Sequence, residues 1–251
     1  MPPLEFLFKD FLEEISAVAK LADEFMDPAS AHVLPNLATA LKNISTRNIG
    51  VEATWAIHEN APLRTKISRG EYELEGRGAH ALFAEITSIW SIAPSDPQAS
   101  RRRLARTFRV TGNASARIRL IEVSAEHDKR ELAMWRMELG DDASPGCYFH
   151  VQVLGERMEP PFPHSLSVPR LPSLVFTPMA ALEFVIAELF QDEWTKRAAK
   201  EDGAMNVWKS IQRKRLGQLL AWKQQTLADC IGSPWTAIKW AKPNSNLFLQ
   251  P

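Results

Sequence analysis

Leu132-Ala133-Met134-Trp135-Arg136-Met137-Glu138-Leu139, Gly140-Asp141-Asp142-Ala143-Ser144-Pro145-Gly146 and Cys147-Tyr148-Phe149-His150-Val151-Gln152-Val153-Leu154 follow one another without a break, and their reading decides the fold class. The two outer runs alternate apolar and polar positions, which is the period of a strand half-buried on one face. The segment between them consists almost wholly of turn formers. Together they predict two antiparallel strands. In the second run Phe149, Val151 and Val153 point inward, leaving Tyr148, His150 and Gln152 on the opposite face. In the first, Trp135, Met137 and Leu139 point inward, which puts Arg136 and Glu138 beside that polar row.

Upstream, the Ile-Thr-Ser-Ile-Trp-Ser-Ile run within Ala79–Ile92 is rich in branched and aromatic residues and predicts a strand, with Leu82, Ala84, Ile86 and Trp90 on one face. Pro94-Ser95-Asp96-Pro97 reads as a turn. Phe108–Thr111 and Ala116–Val123 read as two strands joined at a Gly112-Asn113 hairpin. The expected sum is an antiparallel meander of four to five strands.

The flanks are helical. Leu4, Leu7, Phe11, Ile15, Val18, Leu21 and Phe25 recur every three or four residues, predicting a helix over 4–25. A second helix is expected over 31–45, with Pro35 in its first turn, and residues 46–70 read as a long irregular connection. Six prolines fall within 156–178, which excludes regular structure there. Thr177-Pro178 then opens a helix whose inner stripe is Leu182, Val185, Ile186, Leu189, Phe190 and Trp194. A long helix over about 204–230 and a short one from Ser233-Pro234 to Trp240 close the chain. Segregated helices and strands predict α+β rather than alternating βαβ units. The chain reads as a single domain over 1–251, with a helical N-terminal part (1–50), an antiparallel sheet (71–155), a proline-rich segment (156–177) and C-terminal helices (178–242).

The order helix, meander, proline-rich segment, helices loosely resembles the ubiquitin-conjugating-enzyme-like fold, carried by Tyr148 to Pro172 with Pro160-Pro161-Phe162-Pro163. The resemblance covers about half the chain and implies architecture only. The cysteine that family keeps after its proline segment has no counterpart, the first one beyond being Cys230.

Composition excludes more than it selects. Thirty basic residues balance thirty acidic ones, and the two cysteines, Cys147 and Cys230, lie far apart, as expected of free thiols in a reducing compartment. Acidic residues from Glu5 onward argue against a targeting peptide, and no window approaches the roughly 20 apolar residues of a membrane helix. The expectation is a cytoplasmic protein with no membrane partner.

No nucleotide-binding lysine loop, nucleophile elbow or metal-spaced histidine set is present, and no cofactor or metal is expected. Gly76-Arg77-Gly78-Ala79-His80-Ala81 fits a dinucleotide fingerprint in letters only, because the charged run before it makes a poor buried strand.

Two surfaces remain. One is the polar patch of Tyr148, His150, Gln152, Arg136 and Glu138, with His164 and Arg170 following in the proline-rich loop. The other is basic: Arg101, Arg102, Arg103, Arg106, Arg109, Arg117 and Arg119 fall in nineteen residues without an acid. Lys209, Arg213, Lys214, Arg215 and Lys223 follow on the long C-terminal helix, with Trp208 and Trp222 between them. Of these, Arg101, Arg102, Arg103, Arg106, Arg109, Lys209 and Arg213 are the candidate polyanion contacts.

The leading expectation is a non-enzymatic binding or assembly subunit of a cytoplasmic prokaryotic complex, such as a defence system, with a protein partner. The alternatives are a nucleic-acid-binding protein using 101–119 and an enzyme with a site around His150 and His164.

Overall fold

The computed structural model describes residues 3–68, 81–95, 106–123, 128–140, 146–153 and 170–249. Among them are eight strands and six α-helices, an α+β fold with helices at both ends of the chain. The strands are β1 (Glu5–Leu7), β2 (Ala53–Ile57), β3 (Leu63–Arg64), β4 (Ala81–Ser95), β5 (Thr107–Val123), β6 (Lys129–Leu139), β7 (Phe149–Val153) and β8 (Leu171–Pro172). The helices are α1 (Phe8–Ala22), α2 (Val33–Ser45), α3 (Pro178–Leu189), α4 (Gln191–Ala198), α5 (Gly203–Ala228) and α6 (Pro234–Trp240). The sheet is antiparallel in the order β2-β4-β5-β6-β7-β8, with β3 also on β4 and β1 also on β5.

The meander forms where alternation predicted it. On β4, Ala84, Ile86, Trp90 and Ile92 lie on one face with no measurable exposure. Helices α1, α2 and α3 pack against the sheet's apolar side. Between these layers sits a chain of aromatic rings. Phe6 stacks on Phe248 at 5.1 Å, Phe11 meets Phe108 edge-on at 5.1 Å, and Trp55 meets Trp90 edge-on at 6.0 Å. Such pairs add about 0.5–1.5 kcal/mol each beyond the area they bury.

Five local expectations are corrected. The first helix begins at Phe8, because Leu4 and Phe6 are buried with the period of a strand and Phe6 pairs with Phe108 of β5. Residues 46–70 contain β2 and β3, which are too short for a periodic signature of their own.

Gly112-Asn113 is no hairpin. Thr107–Val123 is one strand, and its register against β4 shifts between Trp90 and Ile92, so that Val110 and Ala114 bracket three residues facing one. A β-carbon on Gly112 would come within 3.2 Å of the Ser91 Cβ, so glycine permits the close approach of this bulge. Pro94 and Ser95, read as a turn, instead end β4 and pair with Phe108 and Thr107.

The helix opened by Thr177 breaks at Phe190, whose backbone leaves helical geometry. Its inner stripe is buried as the spacing predicts.

One contact crosses the whole chain. Glu14 of α1 is completely buried, and Arg215 of α5 is 3% exposed. Arg215 Nη1 donates to Glu14 Oε2 at 2.6 Å, while Gln212 Nε2 and the Thr177 hydroxyl donate to Oε1, each at 2.9 Å. The guanidinium also lies 4.4 Å from the centre of the Phe11 ring. Thr177 thereby does two jobs, since the same oxygen accepts from Ala180 N as the cap of α3.

A buried charge that loses its partner costs about 3–5 kcal/mol. Glu14→Ala should therefore lower the unfolding free energy in urea by about that much, and Glu14→Leu combined with Arg215→Met should recover most of the loss. If the single variant cost less than about 1 kcal/mol, the network would not be holding the helices.

Candidate functional site

The register of β6 and β7 follows from the alternation described above. Glu138 sits opposite His150 and Arg136 opposite Gln152, all on the face away from the helices. Arg136 Nε lies 2.8 Å from Glu138 Oε1, and Gln152 Nε2 donates to Glu138 Oε2 at 3.1 Å. His150 Nε2 is 3.1 Å from the same Oε2, and its Nδ1 lies 2.8 Å from the carbonyl of Cys147. Arg136 Nη2 closes the ring by donating to Gln152 Oε1 at 3.2 Å.

Burial works against the charge of Glu138, but the hydrogen bond from His150 and the charge of Arg136 outweigh it and hold the carboxyl below its ordinary range.

Two features differ from the expected patch. His150 is only 1% exposed and Gln152 only 7%, so this part of the sheet face is not solvated. Buried polar side chains must find partners, and these find one another. Tyr148 precedes the first paired residue of β7, so pleat alternation does not govern it; it packs partly buried beside the core, with its ring 5.1 Å from that of Phe149. Arg170 lies across Gly146, where a β-carbon would collide with its side chain, at the approach to β7. His164 lies outside the described residues.

Both nitrogens of His150 are thus engaged by acceptors within the protein. The arrangement orders the β6–β7 edge and leaves no free imidazole nitrogen aimed at a ligand.

Further along the same face, a cleft of about 270 Å³ is lined by His58, Glu59, Thr87, Ile89, Ser115 and Arg117, among others. Glu59 and Arg117 pair there at 2.6 Å. Sequence reasoning missed it because β2 and the loop after it were read as irregular.

Most of the described arginines in 101–119 serve the fold. Arg106 donates to the carbonyls of Ser45 and Arg47 at the end of α2. Arg109 lies near Glu5 of β1: burial pushes that carboxyl up, and the Arg109 charge opposes the shift. Arg119 bridges Glu131 at 2.7 Å and Glu85 at 3.1 Å. Arg101, Arg102 and Arg103 lie outside the described residues, as does the glycine motif at 76–81 apart from Ala81.

On α5 the inner row Trp208, Ile211, Arg215 and Leu219 is buried, so Trp208 is core. The outer row is different. Lys209, Arg213, Leu216, Leu220 and Leu227 recur at spacings of three, four and seven, which places them along one side of the helix. Arg213, Leu220 and Leu227 are exposed and Lys209 and Leu216 half-buried, and beyond the helix end Ile231 is fully exposed, Trp235 is 75% exposed and Trp240 is 54% exposed. The spacing of this row is visible in the sequence, but only burial of the opposite row shows which one faces out.

Among the described residues, no group of three or more His, Cys, Asp or Glu is placed to hold a metal ion, and no helix is long and apolar enough to cross a membrane. Comparison with known proteins gives no matching family model, no matching curated protein and no matching solved structure. The loose likeness to the ubiquitin-conjugating-enzyme-like fold therefore rests on element order alone.

Two predictions follow from this geometry. A carboxyl made more acidic by folding stabilises the fold fully above the ordinary carboxylate range, and the benefit fades as pH falls through its lowered value. Glu138→Gln should therefore lose less stability than the parent between about pH 7 and about pH 3; an unchanged acid limb in urea titrations would remove the role given to this network. Separately, burial pushes the Cys147 thiol up, with the nearby Lys223 opposing it. Cys147 is 7% exposed, so iodoacetamide at neutral pH should label Cys230 first and reach Cys147 only after denaturation.

Proposed function

We propose that this chain is a non-enzymatic binding subunit that works in the cytoplasm by docking a protein partner on its C-terminal helices. The observation that carries the reading is the row of exposed Leu220, Leu227, Ile231, Trp235 and Trp240, all within one short stretch of chain. Single exposed apolar residues are ordinary, but a run of them including two tryptophans is what interfaces use as anchors. The closed hydrogen bonding around His150 supports a structural part for that cluster. The intramolecular partners of Arg106 and Arg119 likewise favour protein docking over a polyanion surface in this part of the sheet.

Purified from the cells that make it, the chain should travel in a complex heavier than its own 28.3 kDa. Leu227→Glu with Trp235→Ala should return it to that mass while moving Tm by no more than about 2 °C, because both side chains lie on the surface. A monomer in the native extract would end the proposal, and so would a complex indifferent to both substitutions.

A further inference from the structure

Resting on the binding-subunit reading just given, we infer that the outer row of α5 docks an acidic amphipathic helix of another protein. From Gly203 to Lys242 the chain carries seven basic residues (Lys209, Arg213, Lys214, Arg215, Lys223, Lys239 and Lys242) and one acidic one, Asp229. Only Arg215 of the seven is turned into the core, against Glu14. The chain as a whole is neutral, so this region concentrates positive charge that the remainder balances elsewhere.

Charge and apolar surface are ordered along the row. Lys209 and Arg213 occupy its first part, and Leu216, Leu220 and Leu227 its second. From Lys209 to Leu227, eighteen residues further on, a helix rises about 27 Å, or five turns. A partner helix lying along it presents carboxylates one turn apart at one end and apolar anchors every three or four residues along the rest. Those are the ridges that pack into the grooves of this helix.

The same order separates this occupant from two others. A helix lying in a lipid surface keeps its cations on the flanks of an apolar face; here Lys209 and Arg213 stand in line with the leucines and would be driven in with them. Nucleic acid would use the positive charge, but Leu216, Leu220 and Leu227 offer no ring on which a base stacks. Lys223 lies at the flank, half-buried, and burial lowers its affinity for a proton. The cations named for recognition are Arg213 and Lys209, the latter exchanging its exposed 3.4 Å pair with Glu201, just before the helix, for the partner's carboxylate.

The test uses the full chain and a stapled synthetic helix of about five turns, with two glutamates one turn apart at one end and leucines at helical spacing beyond. Control probes are the same peptide with lysine for glutamate, a single-stranded oligonucleotide and phosphatidylserine-containing vesicles. The acidic peptide should bind more tightly than every control and weaken as salt rises from about 50 mM to about 500 mM. Lys209→Glu with Arg213→Glu should weaken binding at least about tenfold, and Leu220→Glu should abolish it with the melting temperature held.

No binding of the acidic peptide, equal binding of the basic one, preference for oligonucleotide or vesicles, or self-association of the chain on this face would each overturn the inference. If the native complex dissolves on Leu227→Glu with Trp235→Ala while the acidic peptide fails to bind, this inference falls and the binding-subunit reading stands. If there is no native complex, both fall.

Discussion

The carboxylate of Glu14 and the guanidinium of Arg215 stand where water cannot reach, and the placement of every neighbouring helix answers to that fact. Each charge alone would be intolerable in such surroundings, so α1 and α5 have to meet with these two residues face to face. The Thr177 hydroxyl ties the start of α3 to the same carboxylate, and the Phe11 ring covers the guanidinium. An apolar substitute could give comparable stability, but it would not fix the rotation of one helix against the others. The pair selects the rotation that turns Trp208 and Leu219 inward and Leu220 and Leu227 outward. The exposed row is therefore a consequence of which side of α5 carries the arginine.

A second polar cluster, on the far face of the sheet, obeys the same rule with a different result. Arg136, Glu138, His150 and Gln152 bond to one another across two strands, which ties β6 to β7 through their side chains as well as their backbones. The C-terminal helices show the reverse: the Ile231, Trp235 and Trp240 side chains are exposed to water, with the Lys239 ammonium 5.1 Å from the centre of the Trp240 ring. Between a closed polar ring and an open apolar row, the proposed docking role rests on the row.

The large features were legible because their periods are long enough to read. The buried Phe11, Ile15, Val18 and Leu21 of α1 and the alternating faces of β4, β6 and β7 follow from spacing alone. The cross-strand neighbours Glu138 with His150 and Arg136 with Gln152 could also be placed in advance, since one register fixes both. What could not be read was whether water reaches them, because burial depends on segments remote in sequence. Glu14 was hidden for a related reason: a glutamate in an amphipathic helix looks like solvent-facing charge until Arg215, two hundred and one residues away, is brought to it. Gly112-Asn113 misled because its letters suit a hairpin as well as a bulge, and only the length of β4 opposite decides between them.

The bulge at Gly112 also divides the duties of β5. On one side of it Thr107 to Arg109 pair outward with β1, and on the other Ser115 to Val123 pair with β6, so one strand hands its free edge from the chain's start to its middle. The three-residue β1 thus plugs a stretch of edge that would otherwise offer unpaired amides to another molecule. It also leaves the ribosome about a hundred residues before the strand that receives it. A half-made chain must carry Phe6, Phe8 and Phe11 with no sheet to bury them, which makes early synthesis the interval in which this protein most needs protection from aggregation.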